Sequence, residues 1–164
     1  MDSMTVYKFD TSDGAEKMLG LVMVLSSQEL IMFDDAAIVS WPQGNKRPKT
    51  KYLHDLTGAG ALGGAFWGLL FGLIFFIPFF GMAVGAAMGS LAGKFSDYGI
   101  GKDFIKSVGD KVTEGTSALF LMTSNVVIDK VSEAIKQKGW EFEIISTNLS
   151  KEQEQQLRVD FGAE

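Results

Sequence analysis

At 164 residues the chain has room for one domain, or one small domain with an appendage. A formal charge of −5 argues against general nucleic-acid binding, and the absence of cysteine excludes disulfides and thiolate metal sites. Hydrophobic residues make up 46% and mean hydropathy is +0.15; the excess sits in residues 58–93, which carry no ionisable side chain.

Taken in order, the start MDSMTVYKFD lacks a basic segment followed by an apolar run, so no signal peptide is predicted. Residues 4–9 read as a first strand. Asp10, Thr11, Ser12 and Asp13 offer caps for a helix over about 14–27, where Met18, Leu21, Val22 and Leu25 recur at helical spacing. Asp34 and Asp35, read as a turn rather than a cation site, lead into a second strand at about 36–41. A turn at Pro42-Gln43-Gly44-Asn45 allows residues 50–53 to return as a short partner strand. Beyond the apolar stretch, residues 103–112 form a short helix burying Phe104, Ile105, Val108 and Val112. Residues 117–123 (SALFLMT) are the best strand. Ser124 or Asn125 caps a helix to Lys138, which Gly139 ends, and residues 140–146 are the last strand, with Trp140, Phe142 and Ile144 on one face. Ser150 and Gln153 form a capping box for a polar helix over about 151–161, read as a solvated face or an intersubunit strut.

This order, βαβ then βαβ, predicts an α+β fold: a ferredoxin-like sandwich interrupted by a long apolar helical hairpin. The expected divisions are residues 1–55 and 96–148 for the two halves of the α/β domain, 56–95 for the hairpin and 149–164 for the polar C-terminal helix.

Glycine recurs every four residues at Gly60, Gly64, Gly68 and Gly72, and again after Pro78 at Gly81, Gly85, Gly89 and Gly93. Residues four apart share a helix side, and glycine there lets another backbone approach closely. The pattern predicts a glycine zipper, with arms over 56–77 and 79–95 of about 33 Å and 25 Å. Against a hydrocarbon core of about 30 Å the first could span and the second is marginal. The tip, Phe76, Pro78, Phe79 and Phe80, is wholly apolar, which suits a wedge inside a bilayer or the interior of a soluble oligomer as well as a two-span hairpin. Arm one is bulky and arm two small on nearly every side, so arm two is expected to pack centrally and arm one to face outward.

The chain resembles the DUF1269 family of small bacterial and archaeal proteins. The resemblance runs through HDLTGAGALGGAFWG at residues 54–68, GSLAGK at 89–94, SDYGI at 96–100, Asp103-Phe104-Ile105 and Ser117-Ala118-Leu119-Phe120. It implies membrane proteins in which a glycine-zipper hairpin interrupts an α/β domain, and it implies no established activity.

Gly58, Gly60 and Gly63 match a dinucleotide fingerprint, but the ribose-binding acid expected about 20 residues on is missing, the first being Asp97. His54 is the sole histidine; beside Asp55 it is expected to be a hinge into the hairpin rather than a catalytic base, with a capacity to sense pH, and Asp55 or Thr57 is expected to cap arm one. Lys49, Lys51, Lys94 and Lys102 flank the hairpin and could meet anionic headgroups. With Lys46, Arg47 and Lys106, they place both termini in the cytoplasm by the positive-inside rule. No cofactor, metal or catalytic constellation is predicted. The sequence thus points to a non-enzymatic, membrane-associated homo-oligomer of envelope or stress role. A soluble assembly with hairpins in its core, enclosing lipid, is the alternative, and a small-molecule sensor or enzyme a third reading.

Overall fold

Both faces of the central sheet are apolar, and that requires a layer of helix on each side. The computed structural model describes residues 2–53, 60–76 and 85–162. Its strands are β1 (Asp2–Phe9), β2 (Asp35–Ser40), β3 (Lys49–Tyr52), β4 (Ser117–Ser124) and β5 (Glu143–Leu149). They form one sheet in the order β3-β2-β4-β1-β5, every neighbouring pair antiparallel. The helices are α1 (Gly14–Ser27), α2 (Gly64–Phe71), α3 (Gly85–Asp97), α4 (Lys102–Lys111), α5 (Asn125–Gln137) and α6 (Lys151–Phe161). A π-helical turn, Gly72–Phe76, extends α2.

Alternation along the strands sorts the core into two clusters. Tyr7, Phe9, Ala36, Ile38, Leu119 and Leu121 face α1 and α5, where Met18, Val22, Val131 and Ile135 are buried. The Tyr7 hydroxyl fixes α5 on this face, donating to Ile128 O at 3.2 Å beside Ser132 Oγ at 3.1 Å. On the opposite face Met4, Val6, Ala37, Val39, Phe120 and Met122 are covered by α2, its π turn and α4. This explains why residues 117–123 read as a continuous apolar run: the strand they form is buried on both sides.

The second covering layer is the glycine-rich stretch itself. Phe66, Trp67 and Leu70 are fully buried, and Phe71, Leu73, Ile74 and Phe75 nearly so. Trp67 and Phe71 lie 5.7 Å apart, and Phe71 meets the Phe120 ring edge-on at 5.2 Å. The expectation that arm one faces outward is therefore corrected: its large side chains point into the sheet, because Phe120, Ala37 and Val39 offer an apolar surface there.

Arm one is also shorter than expected. Gly60 has φ of +106°, Leu62 makes a strand-like bridge to Gly162, and Gly63 is the helix cap. Residues 60–63 are therefore not helical; the expected caps Asp55 and Thr57 lie outside the described residues. Among the described residues no helix is long and apolar enough to cross a membrane. Arm two is described only from Gly85, as α3; the tip residues Pro78, Phe79 and Phe80, together with Gly81, lie outside the described residues.

Elsewhere the elements match within a residue or two, except β5. It begins at Glu143, because pairing with β1 starts at Lys8↔Glu143, and Trp140 and Phe142 pack beside the first cluster before the strand begins. Ile145, not Ile144, is the buried neighbour. The capping box of Ser150 and Gln153 is formed.

Replacing Trp67 with alanine is expected to lower the unfolding free energy by about 3–5 kcal/mol in urea titrations, while Leu69→Ala, on the outer side of the same helix, costs about 1 kcal/mol or less. Equal effects would contradict the inward orientation.

Candidate functional site: the carboxylate node at the foot of the glycine-rich helix

Asp35 opens β2. Alternation puts it on the face of Ala37 and Val39, under α2, where it has no exposed surface. A buried carboxylate costs several kcal/mol to desolvate and must recover that in charge-assisted hydrogen bonds. Oδ1 accepts from Ala36 N–H at 2.8 Å; Oδ2 accepts from Leu62 N–H at 2.8 Å and from Trp67 Nε1–H at 3.2 Å. Both oxygens are therefore engaged by donors, two of which belong to the glycine-rich segment. Gly60 makes the approach: a Cβ there would stand 2.7 Å from Oδ1, and its positive φ suits glycine.

Asp34 ties in two more pieces. Its N–H donates to Met122 O at 2.9 Å and its carbonyl accepts from Ala61 N–H at 3.0 Å. Its carboxylate meets Arg158 of α6 at 2.8 Å, and Arg158 also meets Glu154 at 3.2 Å. Burial works against the guanidinium charge, but the two carboxylates outweigh it and raise the Arg158 pKa. The end of α6 then closes over α2: Phe161 O accepts from Gly63 N–H at 2.9 Å, and the Phe161 ring packs on Phe66, Phe95 and Tyr98. Tyr98 donates a hydrogen bond to Asp160. Burial, then that carboxylate, push the Tyr98 hydroxyl up to about 12, and its donation holds Asp160 below the usual carboxylate value.

The reading of Asp34-Asp35 as a plain turn is thus replaced by a node joining β2, α2 and α6. Sequence offered one signal, two adjacent acids immediately before an apolar strand. The polar C-terminal helix, read as a solvated face or strut, is a clasp: Leu157 is fully buried and Phe161 joins the aromatic group. With no exposed surface, the Asp35 carboxylate serves as an anchor for the chain entering α2. Among the described residues no three His, Cys, Asp or Glu side chains could hold a metal ion.

The predicted packing glycines separate. Gly60 serves the node. Gly64 lies against the Tyr52 ring, so closely that a Cβ would collide with it. At Gly68, Gly72 and Gly93 a Cβ would meet no described atom within 4 Å. Gly85 and Gly89 lie on α3 by their backbone, and Phe76 ends the π turn. His54 lies outside the described residues. Lys49 and Lys51 are exposed on the edge strand β3, Lys94 is exposed near the Phe161 ring, and Lys102 is exposed at the start of α4. A close approach that sequence reasoning missed is Gly109 of α4, where a Cβ would come 3.3 Å from Ile74 O. Its signal would have been a glycine on an otherwise amphipathic helix.

A family model described as a protein of unknown function, DUF1269, matches residues 61–162, more than half the chain. The chain belongs to the DUF1269 family. The matched span opens beside Leu62 and closes at Gly162, the two residues that bridge in space; the carboxylates of the node, Asp34 and Asp35, lie before it. No curated protein and no solved structure matches the chain.

Asp35→Ala leaves Leu62 N–H and Trp67 Nε1–H without their carboxylate partner. It is expected to cost about 2–4 kcal/mol in denaturant unfolding and to shift Trp67 fluorescence to the red; an unchanged midpoint would show that the node is not an anchor. Tyr7 and Tyr98 both have native pKa values raised to about 12, Tyr7 chiefly by burial. A group whose pKa is raised on folding contributes stability that is complete below its unfolded value of 10.0 and lost as pH climbs through about 12. Stability should therefore fall across that alkaline window, less steeply in Tyr98→Phe, as read by circular dichroism at stepped pH.

Proposed function

We propose that this protein is a non-enzymatic assembly module. A ferredoxin-like core, completed on its second face by the glycine-rich helix, joins copies of itself through the outer side of that helix. The observation that supports this most is the state of the glycines on α2. Ala65, Gly68 and Leu69 are exposed, and no described atom lies within 4 Å of where Gly68 or Gly72 would carry a Cβ. Each such glycine costs a helix about 1 kcal/mol relative to alanine. The described packing gives no reason for that cost, whereas a second helix backbone lying in the groove does. The inner side of the same helix is committed to the sheet, so the outer side is the one left for a partner.

A membrane-bound form of this assembly is the second reading. It rests on residues 75–84, FFIPFFGMAV, a run with no polar side chain, and on the exposure of Lys49, Lys51, Lys94 and Lys102, which could meet anionic headgroups. In that form the hairpin contributes the lipid contact and both termini stay in the cytoplasm.

Gly68→Leu and Gly72→Leu are expected to dissociate the assembly in sedimentation velocity while the urea midpoint of the subunit stays the same or rises, because a Cβ there has no described atom within 4 Å. An assembly that survives both substitutions would overturn the reading. Cell fractionation decides the second: recovery without detergent, as a discrete soluble particle, removes the membrane form.

A further inference from the structure

We infer that the opposite side of the molecule carries a second self-association surface, built on α5, so that each subunit contacts its neighbours through both covering layers of the sheet. The inference stands on different residues from the α2 contact proposed above.

Three observations carry it. The first is the distribution of exposed apolar side chains. Among the described residues seven large ones are exposed, and four of them, Val24, Leu30, Met32 and Val126, belong to one end of the α1–α5 layer. Leu25, Leu30 and Ile31 line a cleft of about 530 Å³ together with Asp129, Lys130, Glu133, Ala134 and Gln137 of α5. Met32 is joined to the end of β4, just before α5, its carbonyl accepting from Thr123 Oγ1 at 3.0 Å. Single exposed apolar residues are ordinary, but several gathered at one end of a layer mark an interaction surface.

The second is the charge along the outer side of α5. Asp129, Lys130, Glu133 and Lys136 are all exposed, and none makes an ion pair with a described residue. By contrast, the exposed acid–base pairs Asp13–Lys17 and Lys106–Asp110, at i and i+4 of other helices, are joined.

The third is the order of those charges, which is self-complementary. When two copies of α5 lie antiparallel about a two-fold axis midway between Lys130 and Glu133, Lys130 of each faces Glu133 of the other. Val126 of each then lies toward Gln137 of the other. A parallel arrangement would instead set Lys130 against Lys130 and Glu133 against Glu133. Isologous contacts need this reciprocity, each residue meeting the partner that meets it in return. The apolar part of the cleft, Leu25, Leu30, Ile31 and Ala134, supplies the buried centre, and Lys130 and Glu133, which line the same cleft, supply register and orientation. This commits the surface to a second copy of the chain.

The consequence is a larger assembly than a dimer. Two self-complementary surfaces on opposite faces of one sheet link subunits alternately, closing into a ring or extending as a chain.

The test uses the full chain in sedimentation velocity, alone and with Gly68→Leu. Lys130→Glu or Glu133→Lys, each setting like charges across the axis, should weaken association by about tenfold. The double exchange, Lys130→Glu with Glu133→Lys, should restore it, a rescue that no loss of folding produces. With Gly68→Leu present the particle should fall to a dimer, and adding Glu133→Lys should take it to the monomer. Association unaffected by either single reversal, or not restored by the double exchange, would overturn the α5 surface. Loss of sensitivity to Gly68→Leu alone would overturn the α2 contact and leave this one standing.

Discussion

A sheet with two apolar faces fixes most of what this molecule must do. Two helices in the first and second halves of the chain, α1 and α5, cover one face in the ordinary way. The other face is closed by a segment whose composition suggests lipid rather than protein as its surroundings. Burial is a demand of apolar surface and not of any particular neighbour. Phe66, Trp67, Leu70 and Phe71 satisfy it against Phe120 and the aliphatic side chains of β1 and β2.

An apolar helix on an apolar sheet has no intrinsic register, and here the polar node supplies one. Asp35 holds both the entry of α2 and the indole of its first turns, so rotation or sliding of the helix would strip the Leu62 and Trp67 donors from a buried carboxylate. That penalty is far steeper than the loss of a few van der Waals contacts. The clasp of α6 works alongside it. Arg158 fixes the helix to Asp34 and Phe161 fixes it to Gly63, from opposite sides of the same entry segment.

The parts legible in the sequence were those set by short-range physics. Helix α1, the capping box of α6 and the apolar run of β4 all follow from spacing within a dozen residues. Three things were not legible. Which side of α2 faces inward depends on Phe120, about 50 residues away, so the bulky side was assigned to the exterior. The burial of Asp35 depends on donors at Leu62 and Trp67 that no local pattern connects to it. Four-residue glycine spacing predicts one shared role, yet Gly60 turns the chain, Gly64 clears the Tyr52 ring, and Gly68 and Gly72 face no described atom within 4 Å of a Cβ. Periodicity identifies a helix side without saying what stands opposite it.

The place of β1 between β4 and β5 has a consequence for how the chain is made. It leaves the ribosome well before its register partners, residues 117–124 and 143–149, so neither edge pairs before residue 117 and one stays open until residues 143–149 appear. The glycine-rich helix emerges midway through that interval, before β4, which supplies the Phe120 side of its bed. A nascent chain therefore carries a bare strand and an uncovered aromatic helix at the same time, until residues 117–124 appear. Sequence-distant pairing of this kind slows folding and lengthens the exposure of apolar surface. The vulnerable period for this protein is its synthesis, when it depends most on whatever shields apolar segments from one another.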